Sequence, residues 1–581
     1  MRIWLFRAIA LTLPLLVLLL AELALRASGA GHNWPLFKVN PANPAYRVTE
    51  TDIVKRYFAN STALPTVKME PSFFLADKPA NGIRLVVQGG STAAGYPYGA
   101  GASLAAMLEQ RLSRTFPQQR VEVVNTALAA VNSYTLLDLA DEIIAIKPDA
   151  VLIYAGHNEY LGLLGVGSNY LASQSPAITR LLISLRQLHS FQLMEQLYQQ
   201  LNQPLQAADE NSRTFMARVA RDKAITLGSA QFQAGLDQFD SNLSRLLAKY
   251  QRAGIPVYIS TLVSNLAGQP PFNSKPIPEA ALSQLPAVTT ADKPLADMTV
   301  LDALAAQAAR AGSADFHYLL GQHYQQQGMH QQARAQFLLA KEHDLLRFRA
   351  PEAINQLIRE LAGRYNATLV DTEAAFIANS AQGIVGNSLL LEHLHPNVQG
   401  YFLLADSFYK ALGRNRAVGS WQQPVPATLV PATVVPAKIA WQERPITPAE
   451  EYAGYLRILQ LKADYPFRPE PQQVQFPAPQ NVQQQWGQAY IEGKLDWLSL
   501  QNRNVQYYHQ QGDGDMLLKT LKIIADALPH DANANLQAAQ ILLKAGRQGE
   551  AKGYLQRATL APQVSPQVQQ QLQQLQGALA R

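Results

Sequence analysis

The stretch LVVQGGSTAAGYPY, residues 85–98, decides how the rest of the chain is read. A run of strand-forming apolar residues stops at Gly89 and Gly90, Ser91 follows at once, and Gly95 comes four positions later. In a sheet with helices on its faces, loops at the carboxyl ends of strands are where ligands bind. Ser91 therefore stands either in a plain strand-to-helix turn or where its hydroxyl is available for chemistry.

Working outward, IRLVVQG, VEVVN and DAVLIYAG read as strands, separated by the helical patterns SLAAMLEQRLSRTF and SYTLLDLADEIIAI. The alternation resumes at GLDQFDSNLSRLLAKYQRAG with the strand IPVYISTLV, then at PEAINQLIRELAGRY with ATLVD. Continuous apolar strands alternating with helices predict an α/β domain with a doubly wound parallel sheet, flavodoxin-like in type. The domain is expected over residues 31–420, interrupted by helical insertions at 160–232 and 312–346.

The second insertion fits the helical-hairpin repeat of about 34 residues called TPR, with Leu320, Gly321 and Tyr324 on its first helix and Ala333, Phe337 and Ala340 on its second. A similar pattern recurs at 532–565, with Ala539, Leu542, Ala551, Leu555 and Ala558 at matching offsets. His317, His323 and His330 lack metal-site spacing with acidic partners and read as surface residues of the repeat. Residues 421–448 are Pro-rich and predict an extended linker; 449–581 read as a helical region without chemistry of its own.

Composition narrows the classes of function. Of 581 residues, 48% are hydrophobic, enough for a substantial core, and the net charge of +6 comes from scattered Lys and Arg. No basic stripe with interleaved aromatics points to nucleic acid. The chain has no cysteine, which removes disulfides, thiol nucleophiles and thiolate metal sites. At the start, Arg2 and Arg7 precede an apolar run from Ala8 to Leu25 broken by Thr12, Pro14 and Glu22. Basic residues before a long apolar run predict a targeting segment over residues 1–30, an uncleaved signal anchor being favoured over a cleaved signal peptide. Residues beyond it would then lie outside the cytoplasmic membrane, in the periplasmic or extracytoplasmic space.

Further candidates join Ser91 at the same end of the sheet. The third strand runs into GHNEY, placing the Asn158 carboxamide there, and LLLEHLHPNVQG sets Glu392 three residues before His395. That spacing can bring a carboxylate against an imidazole, which holds its tautomer and stabilises the imidazolium. Taken singly, Asn158 is also an ordinary helix cap and the histidines ordinary helix-entry residues.

In combination these blocks resemble the SGNH, or GDSL, hydrolase superfamily, across roughly 82–160, 235–265 and 350–412. GGSTAAG is similar to the block G-D-S-L-x-x-G, GHNEY to G-x-N-D, and EHLHP to D-x-x-H-P. The resemblance implies Ser91 as nucleophile, His395 as base and Glu392 as its acid partner. It also implies an oxyanion hole from the N–H groups of Ser91 and Ala130 and the side chain of Asn158. No metal or cofactor is implied. Four positions depart from the pattern: Gly90 and Glu159 replace aspartates, Ala130 replaces a glycine of which only the N–H is used, and Glu392 is longer than aspartate by a methylene. Glu159 and Glu392 are the two substitutions able to misplace a group.

The expected activity is extracytoplasmic hydrolysis of an O-acyl ester, first an acetylated envelope polysaccharide and second a lipid. Acyl transfer to a sugar hydroxyl would use the same residues. The rival is a membrane-tethered scaffold whose TPR-like repeats bind a protein partner and whose α/β domain is a binding module. Pro97, Tyr98 and Tyr160 stand either as aromatic pocket walls or as packing.

Overall fold

The computed structural model describes residues 2–58, 67–167, 175–201, 223–284, 298–415, 418–419, 421, 434–562 and 564–579. The N-terminal run forms one helix, α1 (Arg2–Ser28), with Pro14 inside it. Among the described residues no helix is long and apolar enough to cross a membrane.

A small antiparallel sheet comes next, β1 (Phe37–Val39), β2 (Tyr46–Thr49) and β3 (Phe73–Leu75), which the sequence patterns do not announce. Strands of three and four residues are too short for an alternation to be read. All five strands that the patterns do predict are present: β4 (Ile83–Gly89), β5 (Val121–Asn125), β6 (Ala150–Tyr154), β7 (Val257–Ser260) and β8 (Thr368–Val370). They form one parallel sheet in the order β5-β4-β6-β7-β8. Every residue of β4, β5 and β6 is buried, as a sheet covered on both faces requires. This doubly wound order reverses direction between β4 and β6, and the crevice at such a switch point is where ligands bind. The loops carrying Ser91 and Asn158 leave the sheet on either side of it.

Helices connect and cover these strands. The one-turn α2 (Ser91–Ala94) and α3 (Leu104–Thr115) come after β4, and Ser103 caps α3 by accepting from Ala106 N at 3.1 Å. After β5 comes α4 (Ser133–Asp138), then α5 (Ala140–Ala145). The insertion after β6 contains α6 (Pro176–Leu185) and α7 (His189–Leu201); its residues 168–174 and 202–222 lie outside the described residues. The long α8 (Ala230–Arg252) leads into β7.

The second insertion holds α9 (Met298–Ala311), α10 (Ala314–Gln326) and α11 (His330–His343). α10 and α11 make a close hairpin: a Cβ on Gly321 would sit 2.7 Å from the Phe337 ring. The surface placement expected for the histidines fails for two of them. His317 is fully buried, its Nδ1 2.7 Å from Gln336 Oε1 and its ring stacked on His343, and His323 is buried too. Both fall on the helix face that carries Leu320 and Tyr324 into the hairpin core.

α12 (Glu352–Arg364) and α13 (Val398–Asn415) complete the α/β domain. The first half of the expected linker at 421–448 falls largely on 422–433, outside the described residues, but its second half is not extended. Val435 is buried and its carbonyl accepts from Arg111 on α3, and residues 437–442 are helical. Seven further helices follow among the described residues: α14 (Pro448–Lys462), α15 (Val482–Ile491), α16 (Trp497–Gln511), α17 (Gly514–Ala527), α18 (Ala532–Lys544), α19 (Gln548–Thr559) and α20 (Pro566–Leu579). The expected helix pair at 532–565 is α18 and α19, with Ala539, Leu542, Ala551, Leu555 and Ala558 all buried between them. The array docks on the small sheet, Tyr46 Oη donating to Pro529 O at 2.9 Å and Asn43 Nδ2 to Leu560 O at 3.1 Å.

A buried ion pair ties the two sheets together. Arg84 on β4 donates to Glu122 Oε2 on β5 and to Leu75 O on β3, while Leu75 N donates to Glu122 Oε1. Removing one charge leaves the other buried and unpaired, so Glu122→Gln is expected to cost about 3–5 kcal/mol in guanidinium unfolding followed by tryptophan emission. A loss below about 1 kcal/mol would mean that Arg84 finds water instead.

Candidate active site

The turn after β4 leaves little freedom to its residues. A Cβ on Gly89 would lie 2.2 Å from Tyr154 O and 2.5 Å from the Ala93 Cβ, so β4 can pack against β6 and α2 only with glycine there. The chain turns at Gly90 into α2, whose first residue is Ser91, and leaves it at Gly95 with φ of +101°. Gly95 N donates back to Ser91 O at 3.1 Å, which closes the turn. Ser91 thus stands part-buried at the head of a single helical turn, where its own N–H has no intrahelical acceptor.

Glu392, His393 and His395 come from the loop before α13. Leu391 N donates to His395 O at 2.8 Å and Asn397 N to Leu389 O at 2.9 Å, folding the loop on itself. Asn265, beyond β7, holds it from outside: its N–H donates to His393 O and its Nδ2 to Glu392 O, each at 2.9 Å. His395 Nε2 lies 2.7 Å from Ser91 Oγ. On the other side of the ring, Nδ1 meets Glu392 Oε1, which also accepts from His395 N at 2.9 Å. A carboxylate at Nδ1 fixes the proton there and turns the Nε2 lone pair toward the serine hydroxyl.

The second oxygen of Glu392 is also engaged, by His393 Nδ1. His393 is boxed by Phe272, Phe348 and Phe467, with ring centroids 5.3, 6.0 and 5.6 Å away. Burial holds its pKa well below the ordinary imidazole value. Burial likewise lowers His395 from 6.5 to about 3, so the ring is neutral and able to accept a proton at neutral pH. The Tyr96 ring covers His395 at 4.7 Å.

Asn158 and Ala130 complete the group. Asn158 Nδ2 donates one hydrogen to Val131 O at 3.0 Å, and a Cβ on Gly90 would come within 2.8 Å of the same nitrogen. Glycine at position 90 therefore leaves room for the carboxamide beside Ser91. Ala130 has φ of +64°, the left-handed region that favours glycine, and its N–H has no backbone acceptor among the described residues. Alanine thus occupies a backbone conformation that glycine adopts more readily. Glu159 lies fully buried under this loop, accepting from Ser133 N at 3.1 Å, Ser133 Oγ at 2.7 Å and Gln238 Nε2 at 2.5 Å. Burial raises its carboxyl to about 7. It holds the Asn158 loop against α4 and does not face Ser91.

The structure thus brings all five sequence candidates, Ser91, Ala130, Asn158, Glu392 and His395, to the carboxyl ends of β4, β5 and β6 and the loop that closes over them. Four contributors have no functional signal in the sequence pattern. His393 is visible there only as the neighbour of His395, and Tyr96 as one of several tyrosines. Phe467, with Arg457, whose Nη1 donates to Pro97 O at 2.6 Å, comes from the region expected to hold no chemistry. The tyrosines expected as walls or packing are packing. Tyr98 is buried against Tyr401 and Gly454, and Tyr160 stacks on Phe232 and donates to its carbonyl at 3.0 Å.

Among the described residues one group has metal-ligand spacing, Glu392, His393 and His395, whose ligand atoms lie within 4.8 Å of one another. Both Nδ1 atoms are spent on the carboxylate, so hydrogen bonds already close this group.

No protein-family model matches the chain, and neither does any curated protein. Solved structures do. The acetylxylan esterase Axe2 from Geobacillus stearothermophilus is 14% identical, with 59% of this chain and 99% of that one covered and a TM-score of 0.28. A putative GDSL-like lipase from Parabacteroides merdae is 10% identical over 58% and 98%, with a TM-score of 0.27. A putative lipolytic protein of the G-D-S-L family from Desulfitobacterium hafniense is 13% identical over 57% and 99%, at 0.25. What Ser91 and its neighbours do rests on their own geometry.

Two expectations arise from that geometry. A base whose pKa is lowered stays neutral as pH falls below 6.5, so Ser91-dependent kcat/KM should hold its plateau below that pH and decline only further into acid. An acidic limb at or above 6.5 would show a base that is not buried. Ala130→Gly removes left-handed strain but adds unfolded-state entropy, terms of about 1 kcal/mol each, so thermal unfolding should shift little and activity should persist.

Proposed function

We propose that this chain is a serine ester hydrolase of SGNH type, with Ser91 as nucleophile, His395 as general base and Glu392 as the carboxylate that orients it. The single observation that carries the reading is the hydrogen-bonded line from Ser91 Oγ through His395 to Glu392. As Ser91 Oγ attacks the ester carbonyl, its proton moves to His395 Nε2, and the imidazolium is stabilised by the carboxylate at Nδ1. The oxyanion that forms is met by the N–H groups of Ser91 and Ala130 and by the Asn158 hydrogen not spent on Val131 O. The proton passes from His395 to the leaving alcohol. Water, deprotonated by the same base, then releases the acid.

The substrate proposed is an O-acyl, first an O-acetyl, ester of an envelope polysaccharide, with a lipid ester second. Support for an envelope location is the N-terminal sequence, Arg2 and Arg7 ahead of the apolar run, together with α1 residues Leu15 to Leu20, each more than half exposed and in need of an apolar environment. The helix attaches the chain to a membrane, with the bulk outside the cytoplasm. The two helix pairs α10–α11 and α18–α19 are TPR-like units that offer surfaces to a protein partner.

The test is release of p-nitrophenol from acetate, butyrate and octanoate esters by the full chain in detergent. Expected is turnover fastest on acetate, abolished in Ser91→Ala and His395→Ala, and reduced about 10²- to 10³-fold in Asn158→Ala. Turnover equal in the wild type and Ser91→Ala on every ester would overturn the hydrolase reading in favour of a binding module.

A further inference from the structure

Glu22 is out of place in the apolar run of α1, and the structure gives it a partner. Its carboxylate accepts from His189 N at 3.0 Å, Ser190 N at 2.8 Å and Ser190 Oγ at 2.8 Å, and from Arg26 Nε at 2.7 Å. The first two donors are the free N–H groups at the start of α7, which a helix must satisfy from outside itself. Arg26 Nη2 adds a bond to Gln187 O at 3.0 Å, and α1 and α7 pack against each other. The N-terminal helix is thereby fastened to the insertion after β6 by buried and part-buried polar bonds.

The outward side of that insertion is apolar. On α7, Leu193 and Leu197 form one row at four-residue spacing and Met194 and Tyr198 a second, and these four are 43–68% exposed. On α6, Ile178 and Leu181 are 49% and 57% exposed. The inward side is fixed to the domain: Thr179 and Ile183 are buried, Arg180 Nη1 donates to Asn242 Oδ1 at 2.7 Å, and Arg186 Nη1 to Tyr57 O at 2.7 Å. Two consecutive helices with polar and buried contacts on one side and open apolar rows on the other have the pattern of an interfacial membrane element.

The continuity of this surface with α1 identifies what covers it. Leu193 and Met194 lie one helical turn beyond Ser190, and Leu18 and Leu19 lie one turn before Glu22, the residue bonded to Ser190. A turn advances about 5.4 Å, so both apolar surfaces begin close to the same carboxylate. We propose that α6 and α7 form a lipid-facing element whose exposed apolar rows enter the acyl-chain region of the bilayer beside α1. It gives the chain a second membrane contact and restrains how the catalytic domain turns about its anchor. Gln187 Nε2 also donates to Asp138 Oδ1 at 3.1 Å, at the end of α4, the helix that the Ala130 loop enters. The proposal rests on the membrane attachment by α1 set out above.

The absence of cysteine makes a direct test available. Leu16→Cys, Met194→Cys, Tyr198→Cys and Gln556→Cys are each placed alone in the full chain and labelled with the fluorophore NBD. Each protein is reconstituted into phosphatidylethanolamine–phosphatidylglycerol vesicles, with far-ultraviolet dichroism confirming the fold. Expected is blue-shifted emission, quenched by doxyl lipid, at positions 16, 194 and 198, with water-like emission at exposed position 556 on α19. Quenching at 16 with water-like emission at both 194 and 198 overturns the proposal while leaving the anchor in place. Water-like emission at all four positions overturns both the anchor and the proposal.

Discussion

A carboxylate with almost no exposure to water is costly unless each oxygen is bonded, and the site is organised around that requirement at Glu392. One oxygen takes the N–H and Nδ1 of His395, and the other takes Nδ1 of His393. The extra methylene relative to aspartate is accommodated because the head group is held from two sides. With Nδ1 committed, His395 has one nitrogen left, and it faces Ser91 Oγ. The serine's position in turn depends on the glycine turn at 89–90 and on the packing of β4 against β6.

The parts added to the sheet are supports for this centre as well as attachments. Phe467, beyond α14, closes the aromatic box around His393, and Arg457 on α14 holds the carbonyl of Pro97, next to the Tyr96 that covers His395. Asp344, after α11, pairs with Arg349, which donates to Asn265 O; Asn265 in turn carries Glu392. The helical insertion and the C-terminal region therefore both reach the loop that bears the base. At the other end of β4, the Arg84–Glu122 pair joins the main sheet to the small one on which the C-terminal array rests.

Much of this is legible residue by residue. The five parallel strands can be read because their segments are mostly apolar and stand out between helical patterns, although Arg84 and Glu122 interrupt two of them. Ser91, Asn158, Glu392 and His395 can be read because each lies in a short block with its neighbours at fixed offsets, directly after a strand or before a helix. Tyr96 and Phe467 cannot, since an aromatic ring against an imidazole and one in a core have the same sequence pattern. His317 and His323 mislead because histidine is found on either side of a helix, and only the hairpin packing of α10 on α11 places them inside.

The sequence alone determined the parallel α/β sheet and the apolar N-terminal helix, because these depend on periodicity, and it named the candidate reacting side chains only through the resemblance of their short blocks to a known superfamily. The tertiary structure alone decided what the long-range contacts supply. It paired Ser91 with His395 across 304 positions, joined Glu22 to α7 across 168, and set the C-terminal region against the site. Such contacts form where buried polar groups must find partners, and local spacing carries no record of which distant segment provides them.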